Sequence, residues 1–200
     1  VQKAVNPAER VYYPVADNKE PIVAIGTDKE VDDPSIEVYF KQDATPDSEK
    51  NNVGYLASQY MTSMITSMLN ARLSELTQSA NPPFTRAYSS YGNFFVAKTK
   101  EALNLSASSK ADGIEKALKV LLQEAERARR FGFTESEYAR ARANYLQRLE
   151  SAYNEREKTK HGSYVREYVR NFLDAEPIPG IETEYAMMNQ LAPNLPVQAI

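Results

Sequence analysis

The chain has 200 residues, a net charge of −3 and a pI near 5.4, with 42% hydrophobic and 26% charged residues. This composition suits one large domain with a real core, and it excludes a disordered or collagen-like chain. The negative charge argues against nucleic acid or an anionic membrane as a partner. Because the sequence lacks cysteine, disulfides, a thiol nucleophile and thiolate metal sites are excluded.

The two ends of the chain predict its domain organisation. The first 21 residues contain three prolines and little periodicity, which predicts a linker or interdomain arm over residues 1–19. One α+β domain is then expected over residues 20–200. The chain begins with Val1 rather than methionine and stops at Ile200 within the run LPVQAI. We therefore expect a piece of a longer protein, with this domain truncated at its C-terminal end. No signal peptide or membrane-spanning apolar run is visible.

Two strands and a long helix are predicted first. Residues 22–25 form a compact apolar run typical of a buried strand. Residues 35–41 alternate between apolar and mostly polar side chains, which predicts a half-buried strand antiparallel to the first. Thr45 and Pro46 predict a helix start as N-cap and first helical residue. From residue 53 the apolar positions repeat at spacings of three and four for about seven turns, and Pro82 and Pro83 mark a stop.

The second half combines two more strands with several helices. Strand character at residues 85–91 and 102–108 flanks a turn at residues 92–93. Capping-box patterns at 112/115 and 134/137, separated by Gly132, predict an αα-hairpin. A shorter helix near residues 164–173 is expected to turn its apolar side inward, and a last short helix covers residues 182–190. The predicted order is β-β-α-β-β-α-α-α: an α+β, two-layer domain with a mostly antiparallel sheet and helices packed on one face.

No set of residues in the sequence forms a recognisable catalytic or metal-binding pattern. His161 is the only histidine, whereas a zinc-binding helix needs two histidines close together on one face. The acidic turn lacks the spacing of a calcium loop; it contains Asp28, Glu30, Asp32 and Asp33. A nucleophile elbow and a phosphate-binding loop are also missing. We therefore predict no catalytic residue and no metal ligand in this chain.

Three side-chain groups leave alternatives open. Arginines on the αα-hairpin could mark a nucleic-acid face, but glutamates interleave with them; they are Arg127, Arg129, Arg130, Arg140, Arg142 and Arg148. The stripe of Met61, Met64 and Met68 could form a peptide groove, although its helical spacing favours core. Several tyrosines could face a chamber or simply occupy boundary positions; they are Tyr55, Tyr88, Tyr91, Tyr164 and Tyr168.

Three motifs carry a family resemblance. The run NARLSEL at residues 70–76, followed by AYS at residues 87–89, resembles a signature of the insulinase (pitrilysin-like) zinc metallopeptidase family. The run GFTESEYARA at residues 132–141 is similar to that family's opening of a long helix. The run MNQLAP at residues 188–193 resembles the segment before the last helix of the family's non-catalytic domain. The order of the predicted elements also agrees with the family over roughly residues 20–200, and the whole looks most like the long, two-half members of Bacteroides-type bacteria.

The resemblance implies a specific function. Family members repeat one α+β domain; one copy carries the zinc motif His-x-x-Glu-His, and the next copy lacks it and helps to wall a peptide chamber. This chain would be such a motif-less domain, inactive alone, in a parent zinc endopeptidase. The implied partners are other domains of the same polypeptide and a peptide substrate, with no nucleic acid and no membrane. The implied cofactor is zinc in the separate catalytic domain, and the implied location is the periplasm or another part of the cell envelope.

One position departs from the family pattern. Tyr88 matches a tyrosine that helps to hold substrate, so the resemblance implies a substrate-binding role for Tyr88. The arginine expected after Glu75 and Leu76 is replaced by Thr77. Its absence favours a chamber wall rather than a substrate clamp. The alternative is an interaction or assembly domain of the same fold in a protein that hydrolyses nothing, which the upstream sequence would distinguish by the presence or absence of the zinc motif.

Overall fold

A computed structural model describes residues 5–6, 8, 11–31 and 33–200. Its strands and helices follow in the order β1 (Ser35–Asp43), α1 (Val53–Thr77), β2 (Arg86–Asn93), β3 (Lys100–Ser108), α2 (Ile114–Phe131), α3 (Glu135–Asn154), α4 (His161–Asp174) and α5 (Ile181–Asn194). Short 3-10 turns lie at Asp47–Glu49, Arg156–Lys158 and Val197–Ala199. The α+β class is confirmed.

The sheet has three antiparallel strands in the order β1-β3-β2, so that β3 is central. Helices α1 and α2 pack on one face of this sheet, where Leu69, Leu73 and Leu121 meet Leu105 and Ala107 in one buried cluster. Ile36 and Val38 of β1 pack against the same cluster. The opposite face of the sheet, which we call the outer face, carries no helix of this cluster. The predicted two-layer arrangement with helices on one face is thereby confirmed.

A second buried cluster joins α1 to α3 and α5. Met64 and Met68 of α1 are 0% and 1% exposed, and they pack in one cluster with Tyr138 of α3 and Met188 of α5. Met61 is partly buried against the same cluster. The methionine stripe is therefore core and not a peptide groove, as its spacing favoured. One long helix thus serves two cores, with its N-terminal half against α3 and α5 and its C-terminal half against the sheet.

The predicted first strand is wrong. Residues 22–25 form no strand, and the side chains of Ile22 and Ile25 are 79% and 88% exposed. A short apolar run becomes a strand only where an edge pairs with it, and β1 pairs with β3 instead. Among the described residues the order is therefore β-α-β-β-α-α-α-α, with four helices after β3 where the predicted order counts three.

Local capping signals had mixed outcomes. Thr134 and Glu137 form the predicted capping box at the start of α3. Asp112 does not cap α2, whose N-cap is Gly113 without a side-chain bond. Thr45 and Pro46 precede only the short turn at Asp47–Glu49. The long helix begins at Val53 instead, where the Asn52 side chain accepts a hydrogen bond from the Tyr55 N–H at 2.9 Å.

Helix α4 does not bury the apolar side that was expected to face inward. Its apolar side chains are between 39% and 77% exposed; they are Tyr164, Val165, Tyr168, Val169, Phe172 and Leu173. The helix is attached at its C-terminal end, where Lys98 pairs with Asp174 and Lys50 Nζ donates to the Asp174 carbonyl at 2.7 Å. Periodicity identifies an amphipathic helix, but it does not say whether the same chain supplies the covering surface.

The described part of the predicted arm runs along the end of the sheet. Lys100 Nζ lies 2.6 Å from both Asp17 and Asp43, and Lys41 Nζ donates to the Ala16 carbonyl at 3.0 Å. Thr99 Oγ1 donates to the Tyr13 carbonyl at 3.3 Å. Residues 1–4, 7 and 9–10 of the predicted arm lie outside the described residues, and the boundary at residue 19 stays a prediction.

Candidate functional site

The outer face of the sheet brings Tyr88 together with side chains from the other two strands. In register, Glu37 of β1 and Tyr88 of β2 both lie opposite Ser106 of β3. One row further along, Tyr39 and Ser90 lie opposite Asn104. A shallow cavity of about 270 Å³ is lined by five of these side chains and by residues of the β2–β3 connection. The five are Glu37, Tyr39, Tyr88, Ser90 and Asn104. The candidate site is therefore a surface patch whose side chains are brought together by the pairing of the three strands.

Aromatic rings form one side of this cavity. The Tyr39 ring lies 5.5 Å from the Phe94 ring and 4.9 Å from the Phe95 ring, measured between centroids. Phe95 is 65% exposed and has a φ of 52°, an uncommon backbone conformation for a residue with a side chain. Tyr88 is 52% exposed. Several exposed aromatic rings that lie close together form a surface to which apolar side chains of another molecule can bind.

Polar groups in the same cavity have defined hydrogen-bonding states. The Tyr39 hydroxyl donates to the Glu37 carboxylate, and this bond, with burial, raises the pKa of Tyr39 to about 12. The phenol therefore stays protonated at neutral pH. Asn104 Nδ2 is buried and has no hydrogen-bond acceptor among the described residues. A buried amide donor without an acceptor is uncommon in proteins, and here it lies at the centre of the outer face.

Arg86 also belongs to the outer face, although the sequence analysis did not single it out. Side chains two residues apart on a strand share one face of the sheet, so Arg86 lies on the Tyr88 side of β2. Arg86 is exposed and forms no ion pair within the described part of the chain. The strand predicted at residues 85–91 contains both residues, and this is the signal that could have placed them on one face. A cation and a phenol thus lie side by side at about 7 Å along β2.

The position where the family pattern expects an arginine is occupied by Thr77, the last residue of α1. Its hydroxyl donates to the Ser74 carbonyl at 2.7 Å and so closes the end of the helix. The other arginine of that motif, Arg72, is 7% exposed and points into the protein. Neither position presents a cation to the outer face.

Arg72 instead joins two of the three sequence motifs. Its Nε and Nη2 atoms donate to the two carboxylate oxygens of Glu137 at 2.6 and 2.9 Å, and Nη2 also donates to the Gly132 carbonyl at 3.0 Å. The Phe133 ring lies 4.6 Å from the guanidinium carbon. The Arg72 hydrogen bonds lower the pKa of Glu137 to about 2. The two motifs therefore describe one structural contact between α1 and the start of α3.

β2 is an edge strand of the sheet, and Asn70 occupies the backbone groups at the midpoint of its unpaired edge. The Ser89 N–H donates to Asn70 Oδ1 at 2.6 Å, and Asn70 Nδ2 donates to the Ser89 carbonyl at 3.0 Å. One side-chain amide thus occupies both backbone groups that an additional strand would need at this position. The sequence motif contained Asn70 but gave no indication of this role.

The remaining candidates from the sequence are not brought together. His161 is exposed at the start of α4. In the acidic turn, Asp28 accepts a hydrogen bond from the Glu30 N–H at 2.9 Å, and Asp32 lies outside the described residues. Within residues 11–31 and 33–200, no group of three or more histidine, cysteine or acidic residues could hold a metal ion. No helix over the same ranges is long and apolar enough to cross a membrane.

Three of the six arginines on the αα-hairpin pair with glutamates of their own helix. Arg129 lies 2.7 Å from Glu126, which Arg130 also contacts, and Arg127 lies 3.5 Å from Glu124. The Arg142 guanidinium lies 5.2 Å from the Tyr138 ring centre. Such a mixed surface does not favour a polyanion.

Fold and site together define a domain with a helix-backed antiparallel sheet and, among its described residues, no metal-binding cluster. The family described as "Peptidase M16 inactive domain" matches residues 2–145, and the chain belongs to this family. The sequence-based identification of an insulinase-like, non-catalytic domain is thereby confirmed.

Other proteins are similar to this chain in sequence or in fold. A protein named "Zinc protease PQQL-like" from Arabidopsis thaliana is 26% identical over 189 residues, which cover 94% of this chain and 16% of that protein. The first half of the periplasmic protease PqqL from Escherichia coli has the same fold, with a TM-score of 0.75 and 20% identity over 86% of this chain and 36% of that one. A predicted insulinase family protease from Yersinia pestis has a TM-score of 0.70 and 9% identity, with coverage of 86% and 36%. The chain therefore spans less than two thirds of each of these relatives.

Proposed function

We propose that this chain is a substrate-enclosing wall of a zinc-dependent endopeptidase that acts on peptides. The observation that supports this proposal is the outer face of the sheet, where Tyr88, Tyr39 and Phe95 surround a shallow cavity. An exposed aromatic surface of this kind is stabilised when side chains of an unfolded peptide cover it and displace water. The domain would contribute contact surface to the enzyme and no chemical step.

Tyr88 and Arg86 are the proposed contacts to the peptide. The Tyr88 side chain is half exposed on the outer face, and Arg86 lies two residues before it on the same face. A guanidinium and a phenol can both donate to peptide carbonyl or carboxylate oxygens. Arg86 would thus supply the cation that Thr77 does not.

The peptide is expected to contact the face of the sheet and not the edge of β2. Asn70 already occupies the Ser89 backbone groups at the middle of that edge. An incoming strand would have to break both bonds before it could pair there. Contact through side chains also suits an enzyme that encloses peptides of differing sequence.

We further propose that zinc, catalytic residues and the neighbouring walls lie in other domains of the same polypeptide. The E. coli structure named above is half of a larger protease, and this chain corresponds to 36% of that half. That protein is periplasmic by its name, and a periplasmic or other cell-envelope location is proposed here for the same reason. The exposed apolar side of α4 also fits the alternative of a non-peptidase assembly domain.

Replacement of Tyr88 by alanine in the full-length protein is expected to raise the KM for a quenched fluorescent peptide by roughly tenfold while kcat stays within about twofold. This split is expected because Tyr88 would hold bound substrate without touching the reacting bond. Arg86→Ala should act in the same direction. Steady-state kinetics over a range of peptide concentrations measure both parameters.

The matched control is Tyr13→Ala, because Tyr13 is a tyrosine that is 79% exposed on the arm. Its KM should equal that of the unaltered protein. Equal KM values for Tyr88→Ala and Tyr13→Ala would contradict the substrate contact. A fall in kcat without a change in KM would place the effect of Tyr88 on the chemical step and would also contradict it.

The 200-residue chain alone is expected to bind no stoichiometric zinc and to cleave no peptide. The reason is the lack of a metal-binding cluster over the residues that the structure describes. Metal analysis after dialysis against zinc, together with the fluorescent peptide assay, measures both properties. Cleavage that survives preparation with a chelator would contradict the proposal, whereas a His-x-x-Glu-His motif encoded upstream would favour the peptidase over the assembly domain.

A further inference from the structure

An exposed apolar stripe borders the buried side of α2. Ile114, Leu118 and Leu122 lie four residues apart and are 39%, 38% and 41% exposed. Phe131, at the end of the same helix, is 80% exposed. The residues of this helix that the structure buries are Ala117 and Leu121. Helix α2 thus carries more apolar side chains than its contact with the sheet buries.

The charges beside this stripe have a particular order. Glu115 and Lys119 flank its N-terminal half, and Glu126 and Arg130 flank its C-terminal half. Spacings of four and seven residues keep these side chains on one side of a helix. All four lie with Leu118 and Leu122 around one surface depression.

This order is self-complementary for an antiparallel pair. If a two-fold axis passes between Leu122 and the next residue, positions at equal distance from the axis on two helices face each other. Glu115 then faces Arg130 of the second copy, and Lys119 faces Glu126. Glu126 also contacts Arg129 and Arg130 of its own helix, so the contacts between copies would extend an existing charge network. The symmetry forms each ion pair twice, as an isologous interface requires. The Leu122 side chains of the two copies meet next to the axis.

We propose that this stripe is a self-association surface on which α2 of a second copy of the chain docks antiparallel. The occupant is a second copy because the charge order pairs with itself. The inference concerns the helix side of the domain and does not depend on the proposed function of the sheet. A helix of 18 residues is about 27 Å long, so one helix pair covers less than the roughly 1,200 Å² of a stable dimer. The association is therefore weak and concentration-dependent.

Sedimentation velocity of the full-length protein tests the surface. The unaltered protein is expected to move from monomer towards dimer between about 1 and 200 µM. Lys119→Glu should raise the Kd of the dimer at least about tenfold, because it faces Glu126 of the second copy with a like charge. The double variant Lys119→Glu with Glu126→Lys should return the Kd to within about threefold of its original value.

The matched control is Lys116→Glu, which makes the same charge change on α2 at a residue that contacts the Asn81 carbonyl instead of lining the stripe. It should leave the Kd unchanged. Circular dichroism confirms that each variant keeps its helices, since all the altered side chains are on the surface. A protein that stays monomeric to 200 µM overturns the proposal. A dimer that responds equally to Lys116→Glu and Lys119→Glu overturns it as well.

Discussion

Replacement of Arg72 by alanine is expected to lower the free energy of unfolding by about 3 kcal/mol, the usual cost of breaking a buried ion pair by removing one partner. The Arg72 and Glu137 side chains are 8% and 15% exposed, so little solvent would replace the lost contact. The Glu137 carboxylate would keep only its hydrogen bonds at the start of α3. For a domain of this size the melting temperature should fall by roughly 10 °C. Denaturant titration followed by circular dichroism measures the change.

Arg129→Ala provides the matched comparison for this variant. Arg129 also contacts a carboxylate, that of Glu126, at 2.7 Å, but its side chain is 70% exposed. Exposed ion pairs contribute little because water screens them and the side chains lose freedom. The midpoint of unfolding should therefore hardly move. Similar midpoints for Arg72→Ala and Arg129→Ala would show that the Arg72 contact is not a main stabilising link between α1 and α3.

Met64→Ala is expected to lower the free energy of unfolding by about 3 kcal/mol, through lost burial and the cavity that remains. Met64 is 0% exposed and lies in the cluster that joins α1, α3 and α5. The surrounding side chains come from three helices, and this limits how far they can collapse into the space. Thermal and denaturant unfolding of the variant measure the loss.

The comparison for this variant is Met61→Ala on the same helix. Met61 packs against the same cluster but is only partly buried, so its truncation leaves a space that water can fill. Its loss of stability should be clearly smaller. If Met64→Ala were as stable as the unaltered chain, the methionine stripe would not be a core element, and its interpretation as a peptide groove would return.

Local patterns predicted most helices of this fold. The long helix follows from apolar spacing, and the Thr134–Glu137 capping box marks the start of α3 because both partners lie within one turn. The strand at residues 22–25 was predicted wrongly, because a strand requires a distant partner that its own residues do not specify. The apolar side of α4 was predicted to face inward for a similar reason. The pattern of a helix shows that it has an apolar side but does not show which surface covers that side.

The candidate site was predictable only in part. Tyr88 came from the family resemblance, whereas Tyr39 and Asn104 join it through strand register, which the predicted strands did not fix. The Arg72–Glu137 contact joins residues 65 positions apart, and no local rule connects them. The resemblance marked both segments, but their shared role as one structural contact became visible only from the three-dimensional arrangement.

The contact between Asn70 and Ser89 has a consequence for solubility. Open sheet edges invite other chains to add as further strands, and this is a common start of aggregation. Because the Asn70 amide satisfies the N–H and the carbonyl of Ser89, the centre of the β2 edge offers no free pair of backbone groups. The helix thus shields the sheet with one side chain, where many proteins use an extra strand, a proline or a charged residue.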